Sequence, residues 1–294
     1  MPSASEFKSK HPSFTMLLNA HFGSGKTHQA MTFPRVYAIG FDPSGLDILY
    51  QKGNEKLLTN LVWYEYLGNR NEAELREVFR ENAKSTDRTS VYGCLAHAEE
   101  LAIKGEVNTL LIDGFTYLCD SRWQYICEFE EARSQTTSNL DPQAMYRNLG
   151  LSLQRFTSSN LLTMATRLGL NVVLTCHLRR ESQDTVQGSD KLKGRSRKIA
   201  LDSDIAPQVE GGFRNKVEGL VGASIYLDKK IGTDNKSKYI AYCDKVIAWG
   251  TVVNAKNRYG LPQVLELAGG NLYESLMKSV NTTSPIGATT GGGK

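Results

Sequence analysis

Eight consecutive residues, Ala20-His21-Phe22-Gly23-Ser24-Gly25-Lys26-Thr27, combine glycines, a lysine and a hydroxyl in an order that suits a polyphosphate. Glycines let backbone N–H groups turn inward around anionic oxygens. Lys26 can reach terminal phosphates as a point charge, and the Thr27 hydroxyl is a hard oxygen ligand for Mg²⁺. Phe22, Gly23, Ser24, Gly25 and His28 complete the expected cradle. The apolar run Phe14-Thr15-Met16-Leu17-Leu18 precedes it and a helix-like run from His28 follows, so a helix N-terminus would add a dipole that favours anions. The full pattern has glycine where Ala20 stands. Alanine tolerates that turn only at negative φ, and Gly23 supplies a second flexible point. The plainer alternative is a chance Gly-Ser-Gly-Lys-Thr in a surface turn.

A carboxylate in the right setting strengthens the phosphate reading. Asn108-Thr109-Leu110-Leu111-Ile112-Asp113 is an apolar run ending in an acid. Continuous apolar sequence marks a parallel strand buried on both faces, and the carboxyl ends of such strands are where open α/β sheets hold ligands. Asp113 there can hold a metal-bound water, which makes Thr27 and Asp113 the candidate Mg²⁺ pair. Alternatively, Asp113-Gly114 only opens the next helix as an N-cap.

The rest of the pattern supplies elements to position these groups. Arg35 to Asp42, stopped by Pro43-Ser44-Gly45, reads as a second strand, and Asn60 to Tyr66 as a third, β-branched and aromatic. Helical patterns cover Ala73–Ala83, Val91–Lys104, Tyr117–Arg133 and Pro142–Leu168. Asn171-Val172-Val173-Leu174-Thr175-Cys176-His177 is another apolar strand with a polar end. Strands alternating with helices predict an α/β fold, a parallel sheet with helices on both faces. Gly222–Leu227, Lys238–Cys243 and Ile247–Ala255 are strand-like segments joined by polar turns, expected to extend the sheet as antiparallel strands. Residues 1–12 read as a flexible leader, 13–275 as a single domain, and 276–294 as a disordered Gly/Thr-rich tail.

Composition excludes several classes. The 294 residues carry 35 basic and 31 acidic side chains, a balance that does not by itself specify a nucleic-acid partner. The five cysteines are scattered without a CxxC pair, which argues against zinc or a disulfide framework and for reduced, cytoplasmic thiols. No apolar stretch approaches membrane-span length, so no membrane partner is expected. Charge clusters in one place: Arg179, Arg180, Lys191, Lys193, Arg195, Arg197 and Lys198 stand against Glu181, Asp184 and Asp190. This stretch has no helical apolar period and reads as a loop leaving the sheet after His177. Its cations could neutralise phosphates and release counterions. It contains no aromatic to stack bases, so backbone tracking is the better expectation; a solvated loop without a partner is the alternative.

With strand, loop and charge order in place, the chain resembles RecA-core ATPases, and among them the phage single-strand-annealing ATPases of the Sak group. The resemblance covers roughly residues 13 to 270. It rests on Gly23-Ser24-Gly25-Lys26-Thr27, Leu110–Thr116, Val172–His177, Gly212–Leu220 and Ala255–Pro262. It implies a RecA-like sheet, ATP and Mg²⁺ as cofactors, single-stranded DNA as partner, a ring or filament of identical subunits, a single-strand-binding protein as a further partner, and the cytoplasm of a bacterial host. His177 or Thr175 would then sense the γ-phosphate. The basic stretch would be a DNA-binding loop, and Lys256-Asn257-Arg258 a Lys-x-Arg pair acting in a neighbour's site. Such enzymes usually carry a catalytic glutamate after the second strand; here Asp42 is the nearest carboxylate able to position water, or else a turn aspartate before proline. Slow hydrolysis is the expected consequence. Competing readings are a hexameric helicase motor domain, a small-molecule phosphotransferase with the basic loop as lid, and a nucleotide-gated scaffold with negligible turnover.

Overall fold

A computed structural model describes residues 13–134, 142–180, 205–209, 213–231, 237–249, 251–253, 255–267 and 270–282. The chain opens with β1 (Thr15–Ala20), the phosphate-loop candidate, α1 (Lys26–Ala30) and β2 (Val36–Gly40). A 3₁₀ turn (Gly45–Tyr50), α2 (Glu55–Leu58), β3 (Leu61–Tyr66), α3 (Glu72–Val78) and α4 (Val91–Ile103) lead to β4 (Thr109–Asp113). Then come α5 (Phe115–Ser134), α6 (Pro142–Arg155), a π-helical segment (Phe156–Leu162), α7 (Thr163–Leu168) and β5 (Asn171–Arg180). The last third holds β6 (Ile205–Pro207), α8 (Arg214–Leu220), β7 (Ala223–Ile231), β8 (Ser237–Tyr242), β9 (Val246–Ala248), β10 (Thr251–Val253), β11 (Lys256–Asn257), β12 (Val264–Glu266) and α9 (Leu272–Thr282).

The main sheet runs β12-β8-β7-β1-β5-β4-β2-β3. From β7 to β3 every neighbouring pair is parallel, as the apolar runs and intervening helices require. Strand alternation divides two cores. Leu17, Tyr37, Ile39, Leu110, Ile112, Val172 and Leu174 face one cluster, covered by α3 to α8. Met16, Leu18, Ala20, Ala38, Leu111 and Val173 face the other, covered by α1, the 3₁₀ turn and α9. Helices therefore lie on both faces.

Four expectations need correction. β7 is not antiparallel to the sheet: it lies parallel to β1, with Met16 opposite Ala223, and the antiparallel extension starts only at β8. The chain between the parallel strands β5 and β7, which includes β6 and α8, is long enough for a crossover, whereas β7 to β8 is a hairpin. The segment Ile247–Ala255 is not one strand but a hairpin of β9 with β10, apart from the main sheet. The Ala73–Ala83 helix ends at Val78; a reciprocal capping box between Asn71 and Glu74 fixes its start. The domain does not stop at 275. α9 runs to Thr282, and both Leu272 and Leu276 are fully buried.

α9 is also fastened to α1. Gln29 accepts from the Leu272 amide and donates to the Gly270 carbonyl, and Thr32 accepts from the Tyr273 amide. Removing the Leu276 side chain opens a cavity in a closed core. Leu276→Ala should lower the free energy of unfolding by about 2–5 kcal/mol, read from urea melts; a loss below about 1 kcal/mol would mean the helix is not docked.

Candidate functional site

The parallel register brings three sequence-distant groups to one edge of the sheet. β1 ends at Ala20, opposite His177 of β5, and Asp113 closes β4 two strands away. Ala20 is a buried strand residue and is absent from the left-handed positions, so alanine meets the condition set for it. The turns fall on the glycines, with φ of 74° at Gly23 and 84° at Gly25. A Cβ on Gly25 would also stand 2.7 Å from the Tyr239 ring, so space and backbone both demand glycine there.

The helix behind the loop departs from expectation. α1 starts at Lys26 but has only five residues, since the chain must leave helical geometry ahead of Phe33-Pro34. Its dipole is correspondingly small. The cradle depends instead on loop amides and on Lys26.

The Lys26 ammonium is buried. It donates to the carbonyls of Ala20 (3.2 Å) and His21 (3.3 Å) and to Nδ1 of His177 (3.1 Å). Burial holds its pKa below the ordinary lysine value. Burial, reinforced by that ammonium, pushes His177 down to about 4. His177 is therefore neutral, and because Nδ1 accepts, its proton sits on Nε2. That Nε2 is buried and has no partner among the described residues. Phe22 lies flat on the imidazole, ring centroids 3.9 Å apart, while remaining 72% exposed.

Thr27 donates to both carboxylate oxygens of Asp113 at 3.0 and 3.2 Å, and Thr175 donates to Oδ1 at 2.8 Å. Thr175 in turn accepts from the Gly114 amide at 2.7 Å, so its hydroxyl positions Asp113 rather than reaching outward. Burial raises the Asp113 carboxyl to about 6, although the Thr175 and Thr27 bonds favour its charge. Thr27 and Asp113 are hard oxygen donors in contact, a pair that suits Mg²⁺, which keeps several of its waters.

Asp42 follows β2 beside this carboxylate. Its Oδ1 accepts from the Ser44 amide (3.1 Å) and hydroxyl (3.3 Å), the turn arrangement weighed as its alternative role. The turn brings Gly45 so close that a Cβ there would lie 2.1 Å from Asp113 Oδ2. Sequence reading passed over Gly45; the Pro43-Ser44-Gly45 run signalled a turn but not what it would pack on.

The other expected residues scatter. Arg179 and Arg180 are not in a loop: β5 continues through them and pairs with β6, Arg180 opposite Ile205. Lys191, Lys193, Arg195, Arg197 and Lys198 lie outside the described residues. Lys256 and Arg258 sit at the far end of the sheet. β11 pairs with the start of β7, which is aligned with Met16, roughly 13 Å along β1 from Ala20 at the usual strand rise. Lys256 donates to the carbonyls of Glu218, Gly219 and Val221 at 2.7–2.9 Å, and Arg258 also reaches Gly219, at 3.2 Å. Lys256 thus caps the C-terminal end of α8, where a cation is favoured. Within this chain the pair lies away from the phosphate loop.

A glycine-turned loop after a central parallel strand, with a buried lysine and a threonine against a strand-end aspartate, defines a P-loop nucleotide-binding domain. The chain belongs to the AAA_24 family, an AAA domain, whose profile matches residues 13–259. No curated protein sequence matches it. Among solved structures it is similar to a RadB recombinase crystal structure at 10% identity and TM-score 0.36, over 79% of this chain and 80% of that one. Among the described residues no helix is long and apolar enough to cross a membrane.

Two outcomes follow from these contacts. A carboxyl raised in the folded state favours folding when protonated, and that advantage is lost as pH rises through about 6. At pH 7 the empty protein therefore carries an ionised Asp113 at a cost. Asp113→Asn should raise the melting temperature of the empty protein at pH 7, shrink the gap at pH 5, and abolish Mg²⁺-dependent nucleotide binding. Lys256→Met should cost about 1 kcal/mol of stability through the lost cap, measured by denaturant melts; an unchanged melt would refute the capping role.

Proposed function

We propose that this chain binds ATP with Mg²⁺, hydrolyses it slowly, and couples the nucleotide state to single-stranded DNA in recombination or annealing. The observation that carries the reading is the Lys26 ammonium. It is buried, and it is held by the carbonyls of Ala20 at the end of β1 and His21 in the loop and by a neutral histidine, with no carboxylate within ion-pair distance among the described residues. A triphosphate supplies the anion that this site otherwise lacks, at the place where Thr27 and Asp113 hold hard oxygens for its metal. When bound, the metal neutralises charge on the phosphate oxygens.

This chain's own groups then divide the work. Loop amides and Lys26 bind phosphate oxygens. Thr175 and Thr27 orient Asp113. His177, released from Lys26 as the ammonium turns to phosphate, offers its buried Nε2–H to the γ-phosphate or to water, which is the sensor role. Asp42, the carboxylate just after β2, would be the group that positions an attacking water. Its oxygen is engaged in a turn, which agrees with slow turnover. His177 lies three residues before Arg180 on the strand that leads into the basic stretch, so a change at the imidazole has a short route to Lys191–Lys198.

The finer placement among phage single-strand-annealing ATPases, and assembly into a ring or filament, rest on the motif resemblance. Lys256 and Arg258 fit a trans role only if assembly frees them from the α8 carbonyls.

Lys26→Ala should reduce ATP binding by at least a hundredfold in equilibrium titration and eliminate turnover. Single-stranded oligonucleotide should stimulate hydrolysis by the unaltered chain. Neutralising Lys191, Lys193, Arg195, Arg197 and Lys198 should weaken oligonucleotide binding and flatten its salt dependence. Unchanged ATP affinity in Lys26→Ala removes the cradle assignment; an unchanged salt slope removes the loop assignment.

A further inference from the structure

The basic stretch has cations but no aromatic side chains, so it has nothing with which to hold bases. The fold supplies rings from elsewhere. Tyr117 of α5 packs edge-on against His177, centroids 5.5 Å apart, and His177 is stacked with Phe22. The next residue along the loop, His21, packs edge-on against Trp249 at 5.4 Å, and Trp249 against Tyr242 at 5.6 Å. Six rings from four separate parts of the chain thus form two runs of contacts that meet at the adjacent loop residues His21 and Phe22, an arc at the phosphate loop. His177 and Tyr242 are buried and act as backing. Phe22 is 72% exposed, and His21, Tyr117 and Trp249 are partly exposed.

The arc borders both strands that carry the basic connection. β5 leads into it at Arg180 and β6 returns from it at Ile205, paired with each other. The amide of Gln208, just after β6, donates to the His177 carbonyl at 2.7 Å. Ile205 shares a small core with Tyr242, Ala248 and Val253, against which Trp249 packs. Trp249 sits in the β9–β10 turn at φ 53°, a conformation that bulky residues seldom hold, and the neighbouring Ile247 is 77% exposed. A strained tryptophan and an exposed phenylalanine held beside a phosphate loop are poorly explained by core packing.

We propose that this arc is a base-stacking platform for single-stranded nucleic acid, with Phe22 and Trp249 as its two principal rings. The ligand class follows from charge and shape together. The connection between β5 and β6 holds five cations and five acids, but all five cations (Lys191, Lys193, Arg195, Arg197 and Lys198) fall in one run with no acid among them, suited to a phosphate backbone, while the rings offer π-faces that any base can use. Duplex DNA hides those faces, so a single strand is the occupant. The proposal rests on the nucleic-acid reading given above and adds the contact that reading lacks. Because Phe22 lies on the imidazole that holds Lys26, a base stacked there would also bear on the nucleotide site.

The test uses the full chain and a fluorescently labelled oligo-dT. Trp249→Ala should bind it about tenfold more weakly with the salt slope unchanged, because stacking releases no counterions. Trp249→Phe should recover most of the affinity, which a misfolded variant would not. In a Trp63→Phe/Trp123→Phe chain Trp249 is the sole tryptophan, and its emission should be quenched as oligo-dT binds. If the unaltered chain binds oligo-dT but Trp249→Ala and Phe22→Leu both keep full affinity and the emission does not change, the platform is overturned while the nucleic-acid reading stands. If the unaltered chain binds no oligo-dT with or without ATP, both fall.

Discussion

A buried ammonium with no carboxylate partner among the described residues governs this structure. Lys26 is 8% exposed, and its acceptors are two backbone carbonyls and one imidazole nitrogen. Burying a cation against dipoles alone is costly. The nearest buried acid, Asp113, is held by hydroxyls of Thr27 and Thr175, not by the lysine. Opposite charges are kept close but unpaired, and each is pushed by burial toward its neutral form. An anion at the lysine and a cation at the aspartate would relieve both. The cost of holding these charges apart would then become a source of affinity for a metal-bound polyphosphate.

Sheet order keeps that arrangement rigid. Seating β1 between β7 and β5, all parallel, places the loop, His177 and Asp113 on one edge with little freedom to separate. The same register sends Lys256 and Arg258 to the opposite edge, where Lys256 satisfies carbonyls that α8 cannot bond internally. One parallel sheet thus explains both what meets at the site and what is excluded from it.

The antiparallel extension adds surroundings rather than chemistry. Tyr239 of β8 lies against Gly25 and is stacked with His28, ring centroids 5.7 Å apart. Trp249 of the hairpin packs edge-on against His21. The phosphate loop is therefore braced by aromatic residues more than two hundred positions away in the chain, and its conformation depends on the final third having folded.

Local rules made part of this protein legible. Glycines where φ must be positive, a lysine and threonine directly after them, and apolar runs ending in Asp113 and His177 each express a constraint that neighbouring residues satisfy alone, so the loop, the strands of the parallel sheet and the Thr27–Asp113 pair could be read directly from the chain. The direction of β7 could not, because an apolar run reads the same whichever way it is paired and its parallel neighbour β1 lies more than two hundred residues earlier in the chain. Nor could the cap made by Lys256, the approach of Gly45 to Asp113, or the ring arc from Tyr117 to Tyr242. Those contacts join positions that share no period and no spacing, and they exist only because strands distant in sequence are forced 4.7–4.9 Å apart in a common sheet.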